Sequence, residues 1–341
     1  MRRGPGSGRR IAVAAVLLLE AATASLRGAP VTMAGAASNG KIRLAVTLDL
    51  PDGPGPHPVL LLLHASGGGE RDFPVYRHLA RVLPPAGIGV ARFDRRGSGK
   101  SSGDFETASF PDLASDARAV VRWLRRAGVD PRRVAVWGMS QGGWIAPLVA
   151  AEDPTIAAVV VVSGAGGTPG AQMTFSAQTA LREAGYSEDV VAEVTRLRQE
   201  VDAYYAGRAS REAVAARLAA ASVEPWFPLA FVPSQPPRDA RKTKWYFQFS
   251  YDPASSIAKI RAPVLLLYAE RDPWIPIDDS IAAWKARSAA ELTVRRIPGT
   301  NHFMASTTDR AHDLDTDPPS EEYTRVLTEW LVRTLRVAGA P

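Results

Sequence analysis

The stretch VAVWGMSQGGW, from Val134 to Trp144, decides the fold because it joins a strand, a tight turn and a helix within a few residues. Apolar and β-branched residues lead directly into GMSQG, residues 138–142, and a helical pattern follows at once. A G-x-S-x-G turn in this setting pushes its serine out at the carboxyl edge of a sheet. Ser140 is therefore predicted to be a nucleophile rather than the capping serine of an ordinary glycine-rich turn.

A serine nucleophile needs a general base, and that base needs an acid to orient it. When the serine stands on such a strand–turn–helix, the order along the chain is serine, acid, histidine. LLLYAERDPWIP ends a strand with Asp272 in the following loop, and IPGTNHFM ends the next strand with His302 in its loop. We therefore predict a triad of Ser140, Asp272 and His302 at one edge of the sheet.

The base can also be identified by elimination, because the chain has five histidines. His57 lies in a Pro-rich turn, and His78 lies in an amphipathic segment. His312 lies in an acidic loop, and His64 follows an apolar strand, where it is expected to brace the adjacent loop. Only His302 has both the required order and the required loop.

The acid has near neighbours that must be weighed against Asp272. Asp278 and Asp279 fit the first turn of the next helix, where carboxylates interact favourably with the helix dipole. Glu270 fits the end of the preceding strand. Asp272 is the carboxylate that falls in the loop itself, so it is preferred as the partner of His302.

Acyl transfer also needs backbone N–H groups that bind the oxyanion. One is predicted at Gln141, directly after the nucleophile, and the other in the loop HASGGG, residues 64–69. Ser66 is the first candidate in that loop and Ala65 the second. The alternative is that HASGGG is a glycine-rich turn with no catalytic part.

The order of the remaining patterns predicts an α/β fold. Buried apolar runs alternate with amphipathic helices on both sides of GMSQG, which indicates a mostly parallel central sheet flanked by helices. Residues 170–255 interrupt this alternation with helical and Pro- and aromatic-rich segments and are predicted to form an inserted, mostly helical cap. The core is then expected at 37–169 and 256–341.

The first 36 residues resemble an export signal or a disordered tail. A basic start is followed by a short apolar run and by two A-x-A patterns, at residues 22–24 and 34–36. The run is short for a membrane span, so no stable span is expected after cleavage. Export to the periplasm or the outside is the expected location, with an uncleaved N-terminal anchor as the alternative.

Charge and composition exclude several classes of function. Half of the net charge of +6 comes from residues 1–24, and no basic run interleaved with aromatics remains, so nucleic-acid binding is not expected. The chain has no cysteine, which excludes disulfides and thiolate metal sites. FDRRGSGKSSG, residues 93–103, imitates a phosphate-binding loop, but Asp94 occupies its first glycine position and no helix follows Lys100 directly.

Together these motifs resemble the α/β-hydrolases over about residues 40–337. The matching pieces are HASGGG, FDRRGSGKSSG, GMSQGG, ERDPWIP and GTNHF. The nearest resemblance is to bacterial esterases of the dienelactone-hydrolase-like and serine-aminopeptidase-like branches, although true dienelactone hydrolases use a cysteine nucleophile. The resemblance places Asp94, Arg96, Gly97, Gly99 and Ser101 in the loop after the fourth strand, where they shape a turn near the site. Ala65 departs from the common His-Gly start of the HASGGG motif.

The expected activity is hydrolysis of small carboxylic esters through an acyl-enzyme on Ser140, without metal or organic cofactor. Four aromatic residues could line a pocket for a short-to-medium acyl or aryl group: Trp144, Trp274, Trp226 and Phe227. Packing alone would also explain such aromatics. Peptide, amide or thioester cleavage by the same triad is an alternative, and so is a non-catalytic ligand-binding protein on this scaffold.

Overall fold

A computed structural model describes residues 31–306 and 317–337 of the protein. Within this part, one eight-stranded sheet has the order β1-β2-β4-β3-β5-β6-β7-β8. The first two strands run antiparallel to their neighbours, and the others are parallel. The strands are β1 (Val31–Asn39), β2 (Ile42–Leu50), β3 (Val59–Leu63), β4 (Gly89–Phe93), β5 (Val134–Met139), β6 (Ala158–Val162), β7 (Val264–Ala269) and β8 (Leu292–Ile297).

Helices cover both faces of the sheet and form the insertion between β6 and β7. The α-helices of the described residues are α1 (Pro74–Val82), α2 (Phe110–Arg126), α3 (Gly142–Glu152), α4 (Pro169–Glu183), α5 (Glu188–Tyr205), α6 (Arg211–Ala221), α7 (Lys244–Gln248), α8 (Ala254–Lys259), α9 (Ile277–Arg287) and α10 (Glu321–Thr334). This is the predicted α/β-hydrolase fold, a mostly parallel sheet with a helical insertion.

The central strands are continuous apolar runs because both of their faces are covered. Every residue of β3, β5, β6 and β7 is buried, as expected for parallel strands between two helical layers. Side chains alternate between two cores. One core packs against α2, α3 and α9, and the other packs against α1 and α10. The parallel register brings the carboxyl ends of these strands to one edge, which fixes where their loops meet.

The amino-terminal boundary differs from the expected one. Residues 31–36, which the sequence assigned to a leader or tail, belong to β1 and pair with β2. Gly35 lies against the indole of Trp123, and Ala37 is buried in the core. β1 covers the outer edge of β2, and the central residues of β2 are buried. Residues 1–30, with the rest of the predicted leader, lie outside the described residues.

The insertion has a hydrophobic core of its own. Buried side chains of α4, α5 and α6 pack together with Trp226, and α7 lies beside them. Most of this insertion falls within residues 170–255, the range expected for a cap. Among residues 31–306 and 317–337, no helix is both long enough and apolar enough to cross a membrane.

Candidate active site

Ser140 stands on a turn that its glycines make possible. Its φ of +52° lies in the left-handed region that L-residues rarely adopt. A Cβ at Gly138 would fall on the Gly142 carbonyl, and a Cβ at Gly142 would lie 2.7 Å from the Leu63 carbonyl oxygen. Both positions therefore require glycine. The Ser140 N–H donates to the Val162 carbonyl at 2.9 Å, which ties the turn to β6.

Asp272 and His302 form a buried pair at the same edge of the sheet. His302 Nδ1 lies 2.7 Å from Asp272 Oδ2, and both residues are less than a tenth exposed. Because a carboxylate accepts, Nδ1 carries the proton and Nε2 is left as the basic nitrogen. The Trp274 N–H donates to Asp272 Oδ1 at 2.9 Å, so both carboxylate oxygens have partners.

Ser140 and His302 line one cavity. Ser140 Oγ makes no hydrogen bond to His302 within the described residues, and in ligand-free sites such contacts are often long. The arrangement brings together the three residues that the sequence predicted as a triad.

The neighbouring carboxylates have other partners. Glu270 accepts the Gly299 N–H at 2.9 Å, and Asp278 pairs with Arg296. Asp279 lies in the first turn of α9.

The other described histidines lie in other contacts. His57 Nε2 lies 3.3 Å from the Gly53 carbonyl oxygen, and His78 Nε2 lies 2.8 Å from Thr324 Oγ1. His312 falls outside the described residues. His64 is fully buried, and its Nε2–H donates to the Phe93 carbonyl at 2.6 Å. Burial, and then the nearby Arg95 charge, lower the pKa of His64 to about 3, so it is a neutral brace of the loop.

Of the two candidate donors in HASGGG, the structure favours Ser66. The Ala65 N–H already donates to the Tyr76 hydroxyl at 2.9 Å, which removes Ala65 as an oxyanion donor. Within the described part of the chain, the N–H groups of Ser66 and Gln141 donate to no protein acceptor. Gln141 precedes α3, so its N–H lies at the positive end of that helix.

Arg95 braces the loop that carries the Ser66 N–H. Its guanidinium donates to the Ala65 carbonyl at 3.1 Å and to the Ser66 carbonyl at 3.2 Å. It also approaches Gln141 Oε1 at 3.4 Å and lies 3.4 Å above the centre of the Phe105 ring. Burial lowers the pKa of Arg95 to about 10, so the group stays charged at neutral pH. One buried cation thus contacts both sides of the predicted oxyanion hole.

The insertion reaches this site through Gln248 on α7. Gln141 Nε2 donates to Gln248 Oε1 at 2.9 Å, and Gln248 Nε2 donates to the Ala108 carbonyl at 2.8 Å. Gln141, Gln248 and Ala108 are all buried, where an unpaired amide would be costly. The side chain of Gln141 is therefore fixed by Arg95 from the core and by Gln248 from the insertion.

The cavity at Ser140 has a volume of about 550 Å³ and a largely apolar wall. Its lining residues are Ala65, Ser66, Gly67, Gly68, Phe73, Ser140, Gln172, Met173, Ser176, Leu229, Phe231, Trp274, His302 and Phe303. Trp274 lies where the sequence expected it, with its ring centre 4.6 Å from that of His302.

Three of the predicted substrate contacts lie elsewhere. Trp144 stacks on Phe110 and donates its indole N–H to the Gly167 carbonyl. Trp226 and Phe227 pack in the core of the insertion. Large aromatic side chains gain stability from burial, and these three pack against other protein groups instead of lining the cavity.

A family model described as X-Pro dipeptidyl-peptidase (S15 family) matches residues 39–303, well over half of the chain. The chain belongs to the S15 family. Its fold is that of the α/β-hydrolases.

Sequence relatives of this S15-family protein match it over limited lengths. NocK of Nocardia uniformis, described as a candidate esterase, is 35% identical over 129 residues, which cover 36% of this chain and 37% of NocK. The protein Rv2307c of Mycobacterium tuberculosis is 36% identical over 107 residues, 31% of this chain and 36% of its own length. The chain spans 31% to 41% of the length of the curated relatives it matches.

Solved structures share the fold over most of the chain. Est1E from Butyrivibrio proteoclasticus with bound ferulic acid has a TM-score of 0.56 at 18% identity, covering 89% of this chain and 99% of Est1E. Proline iminopeptidase from Mycobacterium smegmatis has a TM-score of 0.58 at 18% identity, covering 90% and 100%. Identities this low show a common fold alone.

The loop that imitates a phosphate site is a structural turn in this S15-family protein. Asp94 accepts the Arg71 N–H at 2.9 Å and the Lys100 N–H at 2.8 Å, and its carbonyl accepts the Ser101 hydroxyl at 2.6 Å. Arg96 forms a 2.6 Å ion pair with Asp116 on α2. Among residues 31–306 and 317–337, no group of three or more His, Cys, Asp or Glu is arranged to hold a metal ion.

Sequence reasoning missed several residues of the site. Arg95 lies inside the motif that was recognised, so its neighbours could have drawn attention to it. Phe303 lines the cavity and directly follows His302, so its position next to the predicted base could have indicated it. Gln248 gave none, because it is 107 residues away from Gln141 and no local pattern links them.

Proposed function

We propose that this S15-family hydrolase cleaves carboxylic esters through an acyl-enzyme on Ser140. The observation that carries the proposal is the cavity itself. The strained serine and the buried Asp272–His302 pair open onto an apolar wall that holds no carboxylate among its described residues. A neutral acyl group fits this wall, whereas the ammonium group of an unblocked peptide would find no acidic partner there.

In the proposed reaction, Ser140 Oγ attacks the ester carbonyl carbon while His302 Nε2 accepts its proton. Asp272 holds the imidazole and stabilises its protonated form. The N–H groups of Gln141 and Ser66 bind the oxyanion. His302 then protonates the departing alcohol, and a water molecule activated by His302 releases the acid and frees Ser140.

The cavity volume of about 550 Å³ suits a small-molecule substrate with a short-to-medium acyl or aryl group. Met173, Leu229, Phe231 and Phe303 supply its apolar surface. Est1E, a structural neighbour, has ferulic acid bound, and NocK is described as a candidate esterase. These relatives support an ester substrate.

Peptide cleavage is the second candidate because the matching family model is described as X-Pro dipeptidyl-peptidase. The same triad could open an amide, and a thioester would need no different group. The buried Asp272–His302 pair and the strained serine argue against a ligand-binding protein without turnover, because ligand binding alone does not require them.

The test is hydrolysis of p-nitrophenyl esters of increasing acyl length by the full chain, with Ser140→Ala as the matched control. We expect turnover that falls about a thousandfold or more in the variant. Alanyl-prolyl arylamide and acyl thioester substrates are assayed beside the esters. Faster cleavage of the arylamide than of every ester would replace the esterase proposal with the peptidase one. Equal inertness of both proteins toward all three classes would refute a serine hydrolase mechanism.

A further inference from the structure

A second cavity adjoins the active-site cavity on the side of the insertion. Its volume is about 230 Å³, and we call it the side chamber. Met173 and Phe231 line both cavities, so the two meet at these side chains. The side chamber is lined by Met173, Arg198, Val201, Asp202, Tyr205, Phe231, Val232, Pro233 and Trp245. A substrate that fills the first cavity could therefore extend toward a second, chemically different one.

Arg198 supplies a buried cation to the side chamber. It is 3% exposed, and its Nη1 donates to the Ala230 carbonyl at 2.7 Å and to the Phe231 carbonyl at 2.9 Å. Its Nε approaches Thr174 Oγ1 at 3.3 Å. Within the described residues, Nη2 makes no hydrogen bond, and no carboxylate lies within 4 Å of the guanidinium. Burial of a guanidinium without an anionic partner is unfavourable, so the chamber favours a ligand that supplies one.

Asp202 is the carboxylate that lines the side chamber with Arg198. The Trp245 indole N–H donates to its Oδ1 at 3.2 Å. Burial raises the pKa of Asp202, although Trp245 and the charges of Arg198 and Arg208 oppose the shift. Burial lowers the pKa of Arg198 as well, and the charge of Asp202 opposes that shift, but an arginine stays charged at neutral pH. The side chamber thus holds a buried arginine and a carboxyl group that form no ion pair within 4 Å among the described residues.

We propose that the side chamber is a subsite for a carboxylate at the far end of the substrate, bound by Arg198. The substrates of this hydrolase would then be esters that carry a free carboxylate several carbons from the bond that is cleaved. The carboxylate could belong to the acyl part or to the alcohol part. Arginine suits this role because its N–H groups make charge-assisted hydrogen bonds to carboxylate oxygens. The inference rests on the proposed ester hydrolysis.

The first experiment uses the wild-type full chain and needs no variant. Mono-p-nitrophenyl esters of linear dicarboxylic acids are compared with their methyl-capped analogues and with ω-ammonium acyl esters of the same length. Acetate esters of ω-hydroxy acids, with methyl-capped controls, test the alcohol part. We expect kcat/KM to favour the carboxylate at least about tenfold in one of the two series, mainly through KM.

The outcomes separate the two proposals. Turnover of the neutral esters without preference for a carboxylate in either series would overturn the subsite and leave the esterase proposal standing. A preference for the ammonium esters would assign the chamber to Asp202 and would also overturn the subsite. Inertness toward every ester would refute the esterase proposal, and the subsite would fall with it.

Two variants test the charges in opposite directions. Arg198→Met should reduce the ratio of kcat/KM for carboxylate over methyl-capped ester to about one. Asp202→Asn keeps an acceptor for Trp245 and should increase that ratio, because it removes a repulsive charge. A merely structural effect of either change would lower both rates together and leave the ratio unmoved. If Arg198→Met does not fold, Asp202→Asn and the wild-type comparison still decide the matter, and an unchanged or lower ratio in Asp202→Asn would contradict the subsite.

Discussion

Two buried arginines, one in the core and one in the insertion, illustrate two uses of the same side chain. Arg95 follows β4 and is 6% exposed, and Arg198 lies on α5 and is 3% exposed. Each donates to a pair of backbone carbonyls, and within the described residues neither has a carboxylate within 4 Å. Arg95 adds the Gln141 side chain and the Phe105 ring, whereas Arg198 keeps one nitrogen without a hydrogen bond on the wall of a cavity.

This difference indicates what each arginine does. Arg95 is enclosed by groups of the protein itself, although its Nε is buried without a partner in the described residues. It therefore acts as a positioning residue, because it fixes the loop and the turn that carry the two predicted oxyanion donors. Arg198 donates hydrogen bonds to the Ala230 and Phe231 carbonyls, and its Nη2 has no hydrogen-bond partner within the described residues. That nitrogen can therefore bind a ligand in the side chamber.

The largest effect on this comparison is expected from Arg95→Met. Without the Arg95 hydrogen bonds to the Ala65 and Ser66 carbonyls, the loop is no longer fixed. The Ser66 N–H is then expected to be misplaced for binding the oxyanion. Loss of one oxyanion donor typically reduces kcat about a hundredfold to a thousandfold. We expect this loss in kcat, with a smaller change in KM, for neutral and carboxylate esters alike, as measured by steady-state kinetics.

Arg95→Lys is the matched control, since it keeps the charge but cannot span both carbonyls. It should retain part of the activity. If kcat survived in Arg95→Met while only the thermal unfolding temperature fell, Arg95 would be a structural residue without a positioning role.

A smaller effect is expected from Gln248→Leu, where the two regions meet. The change leaves Gln141 Nε2 and the Ala108 carbonyl without their buried partners. We expect kcat to fall about tenfold, which corresponds to about 1.4 kcal/mol in the activation free energy. Gln248→Glu keeps the acceptor for Gln141 and should recover part of kcat. Equal kcat values for Gln248→Leu, Gln248→Glu and the wild type would show that Gln248 of the insertion does not affect catalysis.

The smallest effect concerns His64, which lies near Arg95, and its contribution to the free energy of unfolding in acid. His64 resists protonation in the folded state because its pKa is about 3, whereas an unfolded histidine titrates near 6.5. Below pH 6.5 the unfolded chain binds the extra proton, so stability from this group falls as the pH falls toward 3.

His64→Gln removes that linkage. Between pH 7 and pH 5.5, the loss of unfolding free energy should shrink by about 1 kcal/mol relative to the wild type. Urea unfolding at both pH values measures it, and an identical loss in both proteins would contradict the assignment. His78, whose pKa is lowered to about 4 by burial and by Arg81, contributes with the same sign, so part of the acid sensitivity should persist in the variant.

The sequence predicted the parts of the molecule that depend on local pattern. Apolar runs and helical periodicity indicated the sheet, its flanking helices and the helical insertion. The strand–turn–helix at GMSQG indicated Ser140, and strand ends indicated Asp272 and His302. The boundary at residue 36 was misjudged because the start of β1 has the composition of a cleavage region, and only its pairing with β2 reveals a strand.

Composition could not tell which aromatics face the cavity. Trp274 lies on the wall, whereas Trp144 and Trp226 are buried against protein. All three are equally apolar in the sequence, so hydrophobicity cannot separate a packed ring from a ring on a cavity wall. The same limit applies to Ala65 and Ser66, because only the folded chain shows that Tyr76 occupies the Ala65 N–H.

The sequence by itself thus determined the fold class and the three residues predicted as a triad, because hydrophobic periodicity and strand ends are written in neighbouring positions. The tertiary structure alone decided which groups support that triad and what lies beside it. Gln141 contacts Arg95 and Gln248, which are far from it in the chain. Arg198 likewise lines the side chamber together with residues that are distant in sequence. Such contacts arise from packing and from the need to satisfy buried polar groups, and neither leaves a local pattern in the sequence.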